Sequence, residues 1–426
     1  MTHSLSSPHE VKTNRLLRQG HPPMPMLIAL GILILQGLLT MTWSVDETNG
    51  CTHEHVDSSL AGFKESKTPY NATTVYLDVS VTNFLGVRAR AFDPWPSDLP
   101  LPCVKPDKNW NLWQIQRSPA HEGFLMVKEM KTGSSSAVGI NLRIARNVAR
   151  RYFPQFKICK LRNDHANADS LEYGKRNRSK SFLWTVLRDP TKRIVSQFFH
   201  FQVSRQHTDP TDEKFQEWIK KEQQVHHYYL RSLAMEKLWI HHNEFDPILE
   251  ANKIINAYDF IGVTERMDES AVALQLLLGL TTGDILFLNS KSSGGFDDGA
   301  SPLGCVYIVP SFVSPGMKEY FHSPTWRRLS AADTLLHRAA NRSLDLTIIK
   351  LGSKKFEGFL NKFRWAQKQV RDRCLSQIET PCTSSGEAVK QPNCFWGDSG
   401  CGTWCVDKVA EKLGLYSKPF DPRLEP

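Results

Sequence analysis

The stretch FLMVKEMKTGSSSAVG, Phe124 to Gly139, runs from an apolar segment into a Lys-Thr-Gly-Ser-Ser-Ser turn and then into a helical pattern. A strand that passes through such a turn straight into a helix leaves the N–H groups of the turn and of the first helical residues without carbonyl partners, so the turn favours an anion. Lys131 adds a mobile positive charge, and the hydroxyls of Ser134, Ser135 and Ser136 add donors for phosphate-type oxygens. The bland alternative is a loop closed by an ordinary helix N-cap. A Walker A loop is excluded, because there the lysine follows the glycine and here it precedes it.

A second stretch repeats the arrangement. FLWTVLRDPTKRIVSQFFHF, Phe182 to Phe201, is an apolar strand leading to Arg188-Asp189-Pro190 and a helix that carries Arg193 and Ser196. Pro190 at the helix start leaves Arg188 at the strand's carboxyl edge, where open parallel sheets bind ligands. Ser196 lies about two turns further on, within reach of the same anion only if the ligand runs along the helix. An ion pair between Arg188 and Asp189 is the competing reading. In a third stretch, FKICKLRNDHANAD, His165 falls just beyond the carboxyl end of another expected strand, on the same edge as Lys131 and Arg188. Histidine suits general-base work near neutral pH, and Asp164 or Asp169 is placed to orient its ring. The alternatives are a surface-loop histidine, or Asp164 or Glu129 as the base.

These loops meet only if their strands share one sheet. Apolar runs predict strands at Phe124 to Met130, Phe156 to Leu161, Phe182 to Leu187, Phe260 to Val263 and Ile285 to Leu288, with helices between them. The alternation is that of an α/β fold with a central parallel sheet flanked by helices. Late in the chain, helical periodicity broken at Leu351-Gly352 predicts two consecutive helices.

Composition sets the surroundings. The 426 residues carry a formal charge of +9, which attracts anions without choosing among nucleic acid, nucleotide, membrane and acidic polysaccharide. Met26 to Val45 has no formal charge and about the length of a membrane span; Lys12, Arg15 and Arg18 precede it, and Asp46, Glu47 and Glu54 follow. This predicts a type II signal anchor, with a thin early secretory bilayer, the Golgi, as its address. Five of the nine cysteines lie between Cys374 and Cys405, which predicts a disulfide-rich end in an oxidising lumen rather than a zinc site, since that stretch has no C-x-x-C pair and no histidine. Sequons at Asn71, Asn177 and Asn341 permit glycosylation. The expected organisation is a cytosolic tail over residues 1–25, the anchor over 26–45, a luminal stem and Pro-rich connector over 46–120, a catalytic domain over 121–373 and a Cys-rich C-terminal extension over 374–426.

Other clusters carry less. Arg143, Arg146 and Arg150 share one helix face, either solvated or meeting an acidic polymer. His226-His227 and His241-His242 diverge as adjacent helical residues, so metal binding is not expected. QVHHYYL, Gln224 to Leu230, is placed to line an acceptor groove, and KSSGGFDDG, Lys291 to Gly299, is either a solvent loop or one closing over a nucleotide.

The Lys131 to Ser135 turn resembles the 5′-phosphosulfate loop of sulfotransferases, and RDPTKRIVSQFFHF resembles their 3′-phosphate motif, with Arg188 and Ser196 at the expected spacing. FIGVTERMDES, Phe260 to Ser270, resembles the continuation found in Golgi membrane-bound carbohydrate sulfotransferases. The resemblance runs from about Phe124 to Arg373. It implies a P-loop NTPase-like sulfotransferase fold that binds 3′-phosphoadenosine 5′-phosphosulfate (PAPS) and transfers its sulfuryl group, without a metal, to a glycan hydroxyl. On that reading Lys131 neutralises the leaving phosphate and the N–H groups of Thr132, Gly133, Ser134 and Ser135 hold the 5′-phosphate. Arg188 and Ser196 grip the 3′-phosphate, and His165 is the base. Ser136 stands where cytosolic relatives often have a Trp against the adenine. A luminal glycosyltransferase would share the anchor and disulfides, but the Asp-x-Asp metal motif of many such enzymes is missing. A non-catalytic polyanion-binding membrane protein would explain the charge but not two phosphate motifs in this order.

Overall fold

The structure, a computed structural model, describes residues 73–75, 86–106, 121–153, 155, 157–222, 226–238, 245–289, 294–297, 304–390 and 400–416. No helix among these residues is long and apolar enough to cross a membrane. The expected anchor at Met26 to Val45, Asn71, His241-His242 and most of Lys291 to Gly299 lie outside them.

A short antiparallel pair, β1 (Thr73–Val75) and β2 (Val87–Ala89), precedes the main sheet. That sheet is built from β3 (Gly123–Val127), β4 (Leu161–Asp164), β5 (Ser181–Leu187) and β6 (Phe260–Val263), all parallel and in the order β4-β3-β5-β6. Helix α1 (Ser134–Tyr152) connects β3 to β4. After β5 come α2 (Pro190–Gln197), a π-helical continuation at Phe198–Arg205, α3 (Asp212–Lys221), α4 (Tyr228–Leu233) and α5 (Pro247–Ala257). Beyond β6 lie α6 (Met267–Leu277), α7 (Thr282–Ile285), the hairpin of β7 (Phe296–Asp297) and β8 (Val306–Tyr307), α8 (Pro315–His322), α9 (Pro324–Leu351), α10 (Ser353–Cys374) and α11 (Thr403–Lys412).

Every residue of β3, β5 and β6 is buried, as expected of parallel strands covered on both faces. Helix α1 packs on β3 and β4, and α6 and α9 pack on β6. Within that apolar interior Asn141 of α1 is a buried polar pin. It donates to the Phe124 carbonyl at 3.3 Å and to Asn163 Oδ1 at 2.7 Å, and accepts from Trp184 Nε1 at 2.9 Å, tying the helix to three strands.

Two strand expectations are corrected. Of the strand expected at Phe156 to Leu161, Phe156 lies outside the described residues and residues 157–160 are not in a strand, which runs Leu161–Asp164, because the backbone just before it is committed elsewhere. Cys159 N–H donates to Ala145 of α1 and Lys160 N–H to Val104 of the connector, and Cys159 is disulfide-bonded to Cys103. Ile285 to Leu288 forms no strand: Ile285 ends α7, the Leu286 carbonyl accepts from Arg143, and both backbone groups of Phe287 are taken by the Gln367 side chain. The late helix break is where periodicity placed it, with Gly352 between α9 and α10.

The arginine face on α1 is also corrected. Arg146 and Arg150 are exposed, but Arg143 is buried and bonded to the Gly283 and Leu286 carbonyls, Asp407 and the Tyr416 hydroxyl. Residues after α10 thus pack against the helix that follows the Lys131 turn. Their approach is close: a Cβ on Gly400, whose φ is +88°, would stand 2.8 Å from Gly139 Cα. Disulfide bonds join Cys374 to Cys405 and Cys305 to Cys382, and Cys401 is disulfide-bonded too, so the cysteines near the end bridge outward as well as among themselves. Of the two described sequons, Asn177 lies on an exposed turn. Asn341 is built into α9, its amide accepting from Arg266 at 2.7 Å and Ser343 fully buried.

Candidate active site

The strand order fixes where a ligand can sit. Chain connections leave β3 on one side to reach β4 and then cross to β5 on the other, so the carboxyl ends of β3 and β5 flank a topological switch point, where open α/β sheets bind ligands. The Lys131 turn leaves β3 there, and Arg188 follows β5.

The turn is shaped by its own backbone. Lys131 and Gly133 both take left-handed φ values, 64° and 70°. Gly133 is the N-cap residue of α1 and makes no side-chain cap, and the first turn of α1 holds no acidic residue. The ordinary N-cap reading therefore does not hold. Among the described residues no backbone carbonyl accepts from the N–H groups of Thr132, Gly133, Ser134 or Ser135, which leaves the positive end of a 19-residue helix open to an anion.

Not every expected donor faces that anion. The hydroxyls of Thr132 and Ser134 both donate to the Glu129 carbonyl, at 3.1 Å and 2.6 Å, so they brace the turn from within. This corrects the expectation for Ser134. Ser135 is half-buried and Ser136 buried. The Thr132 carbonyl in turn accepts from Thr264 Oγ1 at 2.5 Å, and the same hydroxyl reaches the Leu187 carbonyl at 2.9 Å, so the turn after β6 joins the other two.

Arg188 and Asp189 do not form a local ion pair. Arg188 Nη1 donates to the Lys131 carbonyl at 3.1 Å, across the switch point. Asp189 caps α2 by accepting from Lys192 N–H, while its own N–H donates to Glu265 at 3.0 Å. Ser196 is half-buried on α2, and no hydrogen bond among the described residues joins it to Arg188 or to the Lys131 turn. His165 is exposed beyond β4, with its Nδ1 2.6 Å from the Lys128 carbonyl. Since a carbonyl only accepts, Nδ1 carries the proton and Nε2 is the basic nitrogen of the neutral ring. Orientation comes from that carbonyl and not from the carboxylates considered for it: Asp164 bonds Ala166 N–H and Arg162, and Asp169 bonds Ser170.

Glu129 is excluded as a base that meets an acceptor, because it is fully buried beneath the turn. Burial pushes its carboxyl up to about 7, against the pull of the Ser232 and Tyr228 hydroxyls and of Arg193. Ser232 Oγ donates to Glu129 Oε1 at 2.5 Å. A carboxyl raised in the fold stabilises below its unfolded value, here 4.5, and that contribution is lost as pH rises through about 7. Glu129→Gln removes the titration while keeping an oxygen for Ser232. The wild type should lose roughly 3 kcal/mol more stability than this variant between pH 4 and pH 8. Thermal unfolding at the two pH values checks it, and equal losses would mean Glu129 stays ionised. Asp333, raised by burial to about 6, titrates with the same sign in both proteins.

Tyr228 and Tyr229 are buried, which corrects the expectation that they line an open groove. They hold the site from behind: the Met130 N–H donates to the Tyr228 hydroxyl at 2.9 Å, and the Tyr229 hydroxyl donates to the Arg188 carbonyl at 2.6 Å. Nothing local in the sequence marks this role, since the partners are 98 and 41 residues away.

Residues 130–298 match the model of the sulfotransferase family. Searches of curated proteins and of solved structures return no match. The matched span opens at the Lys131 turn and takes in Arg188, the whole of β4, β5 and β6, and the turn that joins them. The loops on either side of the switch point thus lie in the stretch of the chain that is similar to the sulfotransferase family.

Proposed function

We propose that the protein transfers the sulfuryl group of PAPS to a hydroxyl of a glycan in the Golgi lumen, held there by the Met26 to Val45 anchor. The observation that carries the reading is the bond from Arg188 Nη1 to the Lys131 carbonyl. It sets a fixed cation beside the open N–H groups of Thr132 to Ser135 at the switch point. A donor bearing phosphates at both the 5′ and 3′ positions meets two anion sites in that arrangement. The N–H groups and Lys131 serve the 5′ side, and Arg188, with Ser196 further along α2, serves the 3′ side.

In-line transfer of a sulfuryl group resembles phosphoryl transfer, in which positioning and charge stabilisation dominate. Lys131 neutralises the charge that grows on the leaving 5′-phosphate as the S–O bond breaks. His165 Nε2 takes the proton of the acceptor hydroxyl as the new S–O bond forms, with the Lys128 carbonyl keeping the ring in the required tautomer. The scheme uses no metal ion. The disulfides Cys103–Cys159, Cys305–Cys382 and Cys374–Cys405 support an oxidising compartment, and the basic residues before Met26 support a luminal domain.

Two variants separate the roles. His165→Ala should lose about two or more orders of magnitude in turnover while still binding adenosine 3′,5′-bisphosphate, because it removes only proton transfer. Arg188→Ala should bind the bisphosphate about tenfold or more weakly, with little change for adenosine 5′-monophosphate. Calorimetric titration and turnover assays read both. Unchanged turnover in the first would pass the base role to another group, and an equal loss for both nucleotides in the second would remove Arg188 from the 3′-phosphate.

A further inference from the structure

Helix α4 makes contacts that sulfuryl transfer by itself does not explain. Tyr228 and Tyr229 are adjacent, fully packed and aimed at different loops. The Tyr228 hydroxyl accepts the N–H of Met130, the residue before Lys131, at 2.9 Å. The Tyr229 hydroxyl closes on both backbone groups of Arg188, accepting from its N–H at 3.1 Å and donating to its carbonyl at 2.6 Å. One turn on, Ser232 holds the Glu129 side chain.

The helix is itself fixed. The carboxylate of Asp333, buried on α9, accepts the Tyr228 N–H on one oxygen and the Tyr229 N–H on the other, at 2.9 Å and 3.0 Å. Buried Arg193 of α2 lies over the Tyr228 ring, 3.8 Å from its centroid, so α2 bears on the same pair. A phenol so held offers one rigid hydroxyl, and a pair on consecutive residues sets two loops at a fixed separation.

We propose that Tyr228 and Tyr229 are positioning residues that lock the Lys131 turn and Arg188 into one register, so that the two anion-binding loops are ordered together and not independently. The ligand that exploits the register is one carrying two phosphate-type groups at a fixed spacing, and this part rests on the donor reading above. The lock acts through the loop backbones. Tyr229→Phe frees both main-chain groups of Arg188, whose side chain holds the Lys131 carbonyl. Loosening must then spread from the Arg188 loop to the Lys131 turn, even though Tyr229 makes no hydrogen bond to that turn among the described residues.

The test uses the full chain with Tyr228→Phe and Tyr229→Phe. Hydrogen exchange without ligand is read at the 128–136 and 187–192 segments, with the α9 peptides reporting that the fold is intact. Tyr229→Phe should raise exchange at both segments, and Tyr228→Phe at the first. In calorimetry Tyr229→Phe should weaken adenosine 3′,5′-bisphosphate by about tenfold, the loss expected for one or two buried hydrogen bonds, and adenosine 5′-monophosphate by less. Added exchange confined to the 187–192 segment, or wild-type exchange throughout, overturns the proposal. Should the wild type fail to prefer the bisphosphate, the donor reading falls, while the exchange result still decides whether the tyrosines couple the loops. If α9 exchange also rises, the single-hydroxyl loss has unfolded the domain and a register-setting role is contradicted.

Discussion

Lys131→Ala should give a folded protein whose sulfuryl transfer is lower by roughly two to three orders of magnitude, the loss found when one preorganised group that stabilises transition-state charge is removed. The fold should survive because the substitution leaves the backbone contacts of the turn in place. The Lys131 carbonyl accepts from Arg188, and alanine keeps it; the left-handed φ of 64° is equally awkward for lysine and alanine. The deficit should fall mainly on kcat, since charge on the leaving phosphate grows only as the S–O bond breaks, with a smaller change in donor affinity. Turnover near the wild-type rate would remove Lys131 from the mechanism.

The largest effect on stability should come from Arg143→Ala. Its guanidinium is buried, with Nη2 on the Gly283 carbonyl, Asp407 and the Tyr416 hydroxyl, each at 2.8 Å, and Nη1 on the Leu286 carbonyl. Burial by itself opposes the charge, but Tyr416 and Asp407 more than offset it and hold the group protonated. Alanine leaves Asp407 and the two carbonyls without this partner inside the protein. Removing one member of a buried pair costs about 3–5 kcal/mol. That should lower the unfolding midpoint by about 10 °C for a domain of this size. Lysine should not restore it, because one ammonium cannot reproduce the fork that serves these acceptors. Circular dichroism during thermal unfolding reads the shift. A midpoint within about 1 °C of wild type would show that residues after α10 add little to the domain.

What could be read from the sequence was local. The Lys131 turn and Arg188 each sit where an apolar run ends and a helix begins, so their common sheet edge follows from the strand and helix pattern alone. The start of β4 did not, because Cys159 and Lys160 give their N–H groups to Ala145 and Val104, two partners far along the chain. Ile285 to Leu288 is as apolar as a strand, yet Arg143 and Gln367 take its backbone groups. Arg143 itself has the spacing of a solvated face, and only the packing of Asp407 and Tyr416 on α1 reveals a buried pair. The tyrosines of α4 are another case: their function lies in hydrogen bonds to two loops, and no period or spacing encodes such contacts. Ser134 shows the reverse error, a residue well placed in sequence whose hydroxyl is spent on the Glu129 carbonyl.

Sulfuryl transfer from PAPS to a glycan is followed without intermediaries by the passage of labelled sulfur. The full chain, incubated with sulfur-radiolabelled PAPS and a panel of neutral and acidic glycans, should place label on at least one glycan, and Lys131→Ala should leave that glycan almost unlabelled. Wild-type protein that binds the donor yet labels no glycan, or a Lys131→Ala variant that labels as well as wild type, would contradict the account.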